Sequence, residues 1–314
     1  MSNLKVAYFV PGGFGYSGRE KQVRLLCEEF SEIDFLVIHV YEGLFEGFLQ
    51  FYNISKKYDT IIVAGIRRFA LYGFLFKIFN PSCRLIYQST NMDYDDPEYV
   101  FSSPFFRVLF SSFHIHIAQI QFRRAVNNNA IFVPNFVRLI PDDLVEVVSV
   151  RTINFINIGA ICPRKNQNNL INELLSAGIT DSICFVGPDA DFYECDLNYV
   201  EHFKRLCFLH GHRFLGKLEH DVVISLLCDS RFLLVSSINE GASNVYLEAM
   251  AVGCIPVISS LSADVRIFQS GGFKAVSLKE LPSRTPEELQ HVVDFNRSIL
   301  FNSNMRCLDF YSSL

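Results

Sequence analysis

No run of about 20 apolar residues, the length a bilayer-spanning helix needs, occurs in the 314 residues, and no Cys-x-x-Cys pair is present. The first absence excludes a transmembrane helix. The second, with nine cysteines scattered without framework spacing, argues against a zinc site or a disulfide scaffold and for reduced, mostly buried thiols. Cationic excess is missing as well: 28 Lys and Arg stand against 33 Asp and Glu, a net charge of −5. Without a global positive field nucleic acid is not expected as a partner, and any phosphate site must be local. The opening residues MSNLKVAYFVPGG lack the basic segment, apolar stretch and cleavage site of a secretory signal, so the cytoplasm is the expected compartment. No internal repeat or low-complexity tract interrupts the chain.

Hydrophobic residues make up 50% and charged residues 19% of the chain, a balance that requires a packed core, and the length suits two domains of ~150 residues. Short apolar runs alternate with helical patterns, as a parallel sheet covered by helices demands. Strands are expected over 5–10, 34–40, 60–64, 84–88, 114–118 and 130–133, with a helix over 19–30 after the glycine loop 12–18. Around 141–150 the pattern loosens into an acidic, β-branched link, and a fresh strand over 154–158 marks a second domain. Further strands are expected over 183–186, 213–216, 232–235 and 255–258, with helices over 166–177 and 219–228; the region 193–209 is less defined. Thr285-Pro286-Glu287-Glu288 has the order of a helix start, with a capping residue, a first-turn proline and a glutamate three places on. Two aromatic segments with basic residues, Arg67 to Lys77 and Pro104 to Phe110, suit either a membrane interface or core helices with snorkelling ends.

The stretch 236–257, SSINEGASNVYLEAMAVGCIPV, carries the most chemistry. A strand ends, a Glu240-Gly241 turn follows, and a helix opens with its free N–H groups at the carboxyl edge of the sheet, which is an anion site made of backbone. Glu240 lies before the helix and Glu248 within it, so the two carboxylates can reach different parts of one ligand. Gly241 permits close approach of ligand to backbone. Upstream, Asn157-Ile-Gly159-Ala160-Ile-Cys-Pro163-Arg164-Lys165-Asn166 puts two cations at a helix start, where they would supply charge and donors to a diphosphate.

These motifs resemble those of the retaining glycosyltransferases of family 4, the glycosyl transferases group 1, with their Glu-x7-Glu spacing and basic loop. The resemblance implies an α/β protein of the GT-B fold, two Rossmann-like parallel-sheet domains facing across a cleft. Residues 1–150 would form the acceptor-side domain, 151–284 the nucleotide-sugar donor domain, and 285–314 a helical segment returning to the first domain. It implies a retaining transfer from a nucleoside diphosphate sugar, with a UDP-sugar preferred, to a glycan or lipid-linked glycan acceptor. Surface polysaccharide synthesis and peripheral contact with the inner membrane face would fit such an acceptor. No metal or other cofactor is required. By matching positions, Lys165 and Arg164 would hold the diphosphate, and Gly241, Ala242, Ser243 and Asn244 would contact diphosphate and sugar through backbone. Glu240 would hold the donor sugar and Glu248 the ribose; Gly13 would approach the donor phosphates and Arg213 the base.

The sequence departs from the family in two places. Ala160 stands where many members have arginine, and Tyr87-Gln88-Ser89-Thr90-Asn91-Met92-Asp93 lacks a histidine many carry. These departures leave open a non-catalytic scaffold that binds a partner transferase. A metal-dependent GT-A enzyme would use an Asp-x-Asp, and Asp93-Tyr-Asp95 and Asp189-Ala-Asp191 both satisfy that short pattern. A nicotinamide enzyme fits less well, because residues 12–18 miss the G-x-G-x-x-G spacing and no acidic residue convincingly ends the second strand. His114 and His116 alternate along a strand, which suits structural roles.

Overall fold

The computed structural model describes residues 5–9, 18–30, 34–38, 44–64, 67–88, 108–109, 113–118, 130–189, 195–238, 243–262, 268 and 271–314. The chain divides into two units, Met1–Phe136 with Ser303–Leu314, and Val137–Asn302.

In the first unit six strands, β1 (Lys5–Phe9), β2 (Asp34–Ile38), β3 (Thr60–Ala64), β4 (Arg84–Gln88), β5 (Ile115–Ala118) and β6 (Ala130–Phe132), form a sheet in the order β2-β1-β3-β4-β5-β6. All its pairings are parallel. Parallel strands covered on both faces need apolar residues on both faces, which is why KVAYF and TIIVA read as nearly continuous apolar runs. Alternation assigns the faces. Ala7, Phe9, Ile61 and Val63 meet Phe51 of helix α2 (Leu44–Ser55) and Tyr72 and Phe76 of α3 (Arg67–Phe79). Val6, Tyr8, Ile62 and Ile86 meet Val23 and Leu26 of α1 (Gly18–Glu29), together with Cys307, Phe310 and Tyr311 from the far end of the sequence. The Phe9 and Phe51 rings lie 4.1 Å apart, and a buried ring of this size contributes about 1.5–3 kcal/mol. His114 accepts the backbone N–H of Leu85 on Nδ1 at 2.9 Å, a structural role.

The second unit repeats the plan. Strands β7 (Ile153–Ile158), β8 (Ile183–Val186), β9 (Arg213–Phe214), β10 (Ser230–Val235), β11 (Ile255–Ile258) and β12 (Val276–Ser277) run in the order β12-β11-β10-β7-β8-β9, again parallel. Phe155, Phe185, Phe232 and Leu234 face Leu170 and Leu174 of α4 (Gln167–Ser176) and Phe203 of α5 (Leu197–His210). Ile156, Val186, Leu233 and Val235 face Leu227 of α6 (His220–Cys228) and Tyr246, Leu247 and Met250 of α7 (Asn244–Ala251).

The stretch 141–150 lies inside this unit. Val145 and Val148 pack against its core, and Asp142 accepts from Arg297 at 2.5 Å. The helix expected at Thr285 is α8 (Pro286–Ser312). Thr285 Oγ1 accepts the Glu288 N–H at 3.3 Å while Glu288 Oε2 accepts the Thr285 N–H at 3.0 Å, a reciprocal cap.

Among the described residues no disulfide forms. Burial pushes the Cys83 thiol up to about 11 and those of Cys207, Cys254 and Cys307 to about 12, so all four stay protonated near neutrality. No helix of the described residues is long and apolar enough to cross a membrane.

Candidate active site

In a parallel α/β sheet the loops at the carboxyl ends of the strands form the natural ligand edge. In the second unit those loops are laced together. After β7, the Gly159 N–H donates to Val186 and the Ile161 N–H to Pro188; after β8, the Gly187 N–H donates to Gly216. A Cβ on Gly187 would fall onto the Gly159 carbonyl, so glycine is what lets the ends of β7 and β8 touch. Asn157 ties β7 to β10 by donating to the Leu234 carbonyl at 2.8 Å.

The basic pair sits on this edge. Residues Pro163–Lys165 make one 3-10 turn, and Asn166 at φ 60° reverses the chain into α4. Asparagine tolerates that left-handed conformation better than most residues. The Lys165 stem crosses Gly159, where an added Cβ would stand 3.2 Å from Lys165 Cε. The turn is also tied to the segment leaving β10: Ser236 Oγ donates to the Lys165 carbonyl at 2.7 Å and the Ile238 N–H to the Arg164 carbonyl at 2.9 Å. Three bonds brace the start of α4. Gln167 donates to the Ala160 carbonyl at 2.9 Å, and Tyr199 Oη accepts the Asn168 N–H at 3.1 Å and meets Gln167 Oε1 at 3.3 Å. Burial pushes the Tyr199 phenol up to about 12, so it remains a neutral donor.

The segment leaving β10 leads toward α7, with Ser243 at the N-cap position and Asn244 as the first helical residue. Glu248 lies one turn further on and is only 7% exposed. Its Oε1 is 3.5 Å from Nε2 of His220, the first residue of α6. The opposite end of α7 is clasped by two guanidinium groups. Arg151 donates to the Val252 carbonyl at 2.7 Å and Arg297 to the Ala251 carbonyl, which places positive charge where the helix dipole favours it. Arg151 also donates to the carbonyls of Ser230 at 2.9 Å and Glu146 at 3.1 Å. Burial lowers its pKa, and these carbonyls compensate for the lost hydration.

The structure therefore brings Arg164 and Lys165 to the strand end that precedes Ser243 and Asn244, and it buries Glu248 on the helix that follows. Arg213 is exposed on edge strand β9, opposite Cys184 and short of the carboxyl end of β8. Gly13, Glu240, Gly241 and Ala242 lie outside the described residues, as do Asn91 and the string Asp93-Tyr-Asp95. Of the other Asp-x-Asp string, Asp189 is engaged by Lys204 at 2.5 Å. Among the described residues no group of three or more His, Cys, Asp or Glu is arranged to hold a metal. Sequence reasoning did not single out His220 or Arg151. A lone histidine opening a helix and a lone arginine before a strand carry no spacing signal.

Residues 152–289 match the family model described as glycosyl transferases group 1. Comparison with curated proteins finds no match. Among solved structures, HepE from Anabaena in complex with UDP and glucose superposes with a TM-score of 0.68 at 16% identity, covering 99% of this chain and 100% of that one. The lipopolysaccharide outer core galactosyltransferase WaaB, in its apo form, gives 0.65 at 14% identity over 99% and 100% of the two chains. Sucrose-phosphate synthase from Thermosynechococcus elongatus gives 0.61 at 14% identity over 98% and 94%. The chain thus has the GT-B fold of these structures, and its residues 152–289 match the glycosyl transferases group 1 model.

Proposed function

We propose that this protein is a retaining hexosyltransferase that moves a sugar from a UDP-sugar to a glycan or lipid-linked glycan acceptor in surface polysaccharide synthesis. The observation that carries the reading is the tie of the Arg164-Lys165 turn to the segment leaving β10, which joins two cations to the loop running toward buried Glu248. The UDP complexes of HepE support uridine as the base. On this reading the first unit, Met1–Phe136 with Ser303–Leu314, serves the acceptor and the second unit, Val137–Asn302, the donor.

In the reaction the bond between the anomeric carbon and the diphosphate oxygen breaks as an acceptor hydroxyl oxygen bonds to that carbon from the same face. The hydroxyl proton passes to the departing phosphate, and the transition state has oxocarbenium character. Lys165 and Arg164 neutralise the charge growing on the diphosphate, while the backbone of Gly241, Ala242, Ser243 and Asn244 donates to diphosphate and sugar. Glu240 holds the sugar, Glu248 the ribose, Gly13 approaches the phosphates and Arg213 the base. These side chains require no metal.

Contact with the inner membrane face is part of the proposal, and the surface of α2 and α3 supports it. Phe45, Leu49, Tyr52 and Lys56 follow one another at helical spacing, with Phe45 73% exposed and the Lys56 ammonium 5.6 Å from the Tyr52 ring centre. Phe79, 63% exposed, stands edge-on to Tyr52, and Ile78 is exposed beside it. Large apolar side chains next to cations suit the headgroup region.

Calorimetric titration of UDP, GDP and ADP, with and without magnesium, tests the donor reading on wild type and Glu248→Ala. Selective UDP binding weakened by the substitution is expected. Absence of binding to any of them by the folded protein would replace the enzyme with a non-catalytic scaffold.

A further inference from the structure

The approach of His220 to Glu248 has a consequence for how the donor is held. A carboxylate that is almost wholly buried needs a compensating donor. His220 Nε2, 3.5 Å from Glu248 Oε1, is so placed, and it comes from a different element, the first turn of α6. The other ring nitrogen, Nδ1, lies 3.8 Å from Oδ1 of Asp221, which is fully exposed. The imidazole thus stands between two carboxylates, one in solvent and one buried. The shorter approach, to the buried carboxylate, is the one that can restrain both groups.

We infer that His220 is a positioning residue that fixes the Glu248 carboxylate in the orientation that takes a nucleotide ribose. The inference rests on the assignment of Glu248 to the ribose. A vicinal diol is bound well by a carboxylate only when both oxygens face it in one plane, and a side chain free to rotate loses that match. The contact from α6 restrains that rotation at Oε1 before the ligand arrives, so less ordering is required on binding. His220 touches neither the sugar nor the phosphates in this scheme and acts only through Glu248.

The test is calorimetric titration of the full chain with UDP and with 2′,3′-dideoxy-UDP. The proteins are wild type, His220→Ala, His220→Gln, Glu248→Ala and the double variant His220→Ala/Glu248→Ala, with thermal melts to establish folding. His220→Ala is expected to weaken UDP binding about 10-fold, the order of one charge-assisted hydrogen bond, and to leave the dideoxy analogue nearly unaffected. His220→Gln, which keeps an N–H near the place of Nε2, should recover most of the loss. In the Glu248→Ala background, His220→Ala should add nothing.

Unchanged UDP binding in His220→Ala, or a loss that adds in full to that of Glu248→Ala, would overturn the inference while leaving the ribose assignment standing. If Glu248→Ala itself leaves UDP binding unchanged, the ribose assignment fails and the inference falls with it.

Discussion

The guanidinium of Arg151 occupies the space that a side chain at position 253 would need: a Cβ on Gly253 would come within 2.8 Å of an Arg151 terminal nitrogen and 2.7 Å of Val145 Cγ1. Gly253 also has φ +78°, a left-handed backbone that favours glycine. Gly253→Ala should therefore destabilise the second unit by about 1–3 kcal/mol through strain and overpacking. Arg151→Ala should cost about 3 kcal/mol or more, because it strands the buried carbonyls of Ser230 and Val252. Denaturant unfolding checks both. An unchanged midpoint for Arg151→Ala would show that the clasp contributes nothing.

The basic turn predicts a kinetic phenotype. Lys165→Ala should lower transfer by about 10²–10³-fold, the usual effect of losing one preorganised contact to developing charge, and weaken UDP binding as well. Glu240→Ala should abolish transfer and leave the melting temperature within a degree or two of wild type. Initial-rate assays with a UDP-sugar, read beside thermal melts, separate these effects. Wild-type turnover in either variant would remove the assignment.

How far the sequence discloses this arrangement varies by element. Residues Thr60–Val63 and the strand ICFV are buried, and their unbroken apolar runs mark them plainly. The helix α5 was obscured because its apolar residues are not all inside: Leu197, Phe208 and Leu209 are exposed, which blurs the 3.6-residue period. β12 has two residues, Val276–Ser277, too few for any alternation to register. The loosened stretch 141–150 read as a link because its polarity conceals two anchors, Val148 in the core and Asp142 on Arg297. In the candidate site the basic turn and Glu248 were legible because each sits in a motif with fixed spacing. The pairing of His220 with Glu248 was not, because it joins two helices and is set by how they pack.

Acid should weaken the second unit through His212. Burial, and then the neighbouring His210, hold its pKa below the ordinary 6.5, and its neutral Nδ1 accepts the Ile183 N–H at 3.4 Å. The unfolded chain takes up the proton first as pH falls. The stabilisation is therefore complete above about 6.5 and is lost as pH drops through the lower folded value. Denaturant midpoints should fall between pH 7 and pH 5, and fall less in His212→Asn, whose side-chain oxygen can still accept the N–H. Equal slopes for the two proteins would exclude His212 as the cause.

Vesicle flotation addresses the α2 and α3 surface. Wild type should float with vesicles rich in anionic lipid at low salt and be released as salt rises. Phe45→Ser/Phe79→Ser should cut the bound fraction several-fold without shifting the melting temperature. Retention of full binding by that variant would move the contact elsewhere.

The place of Cys307, Phe310 and Tyr311 in the core of the first unit bears on how the protein is made. A ribosome emits residues 1–136 first, yet the cavity facing Val6, Tyr8 and Ile62 is filled only after residues 137–302 have emerged. The second unit holds all of its own segments earlier and is free to fold while the first is still incomplete. The order of maturation thus runs opposite to the order of translation. The nascent first unit exposes a sticky apolar face during that interval, which makes it the natural client for chaperones.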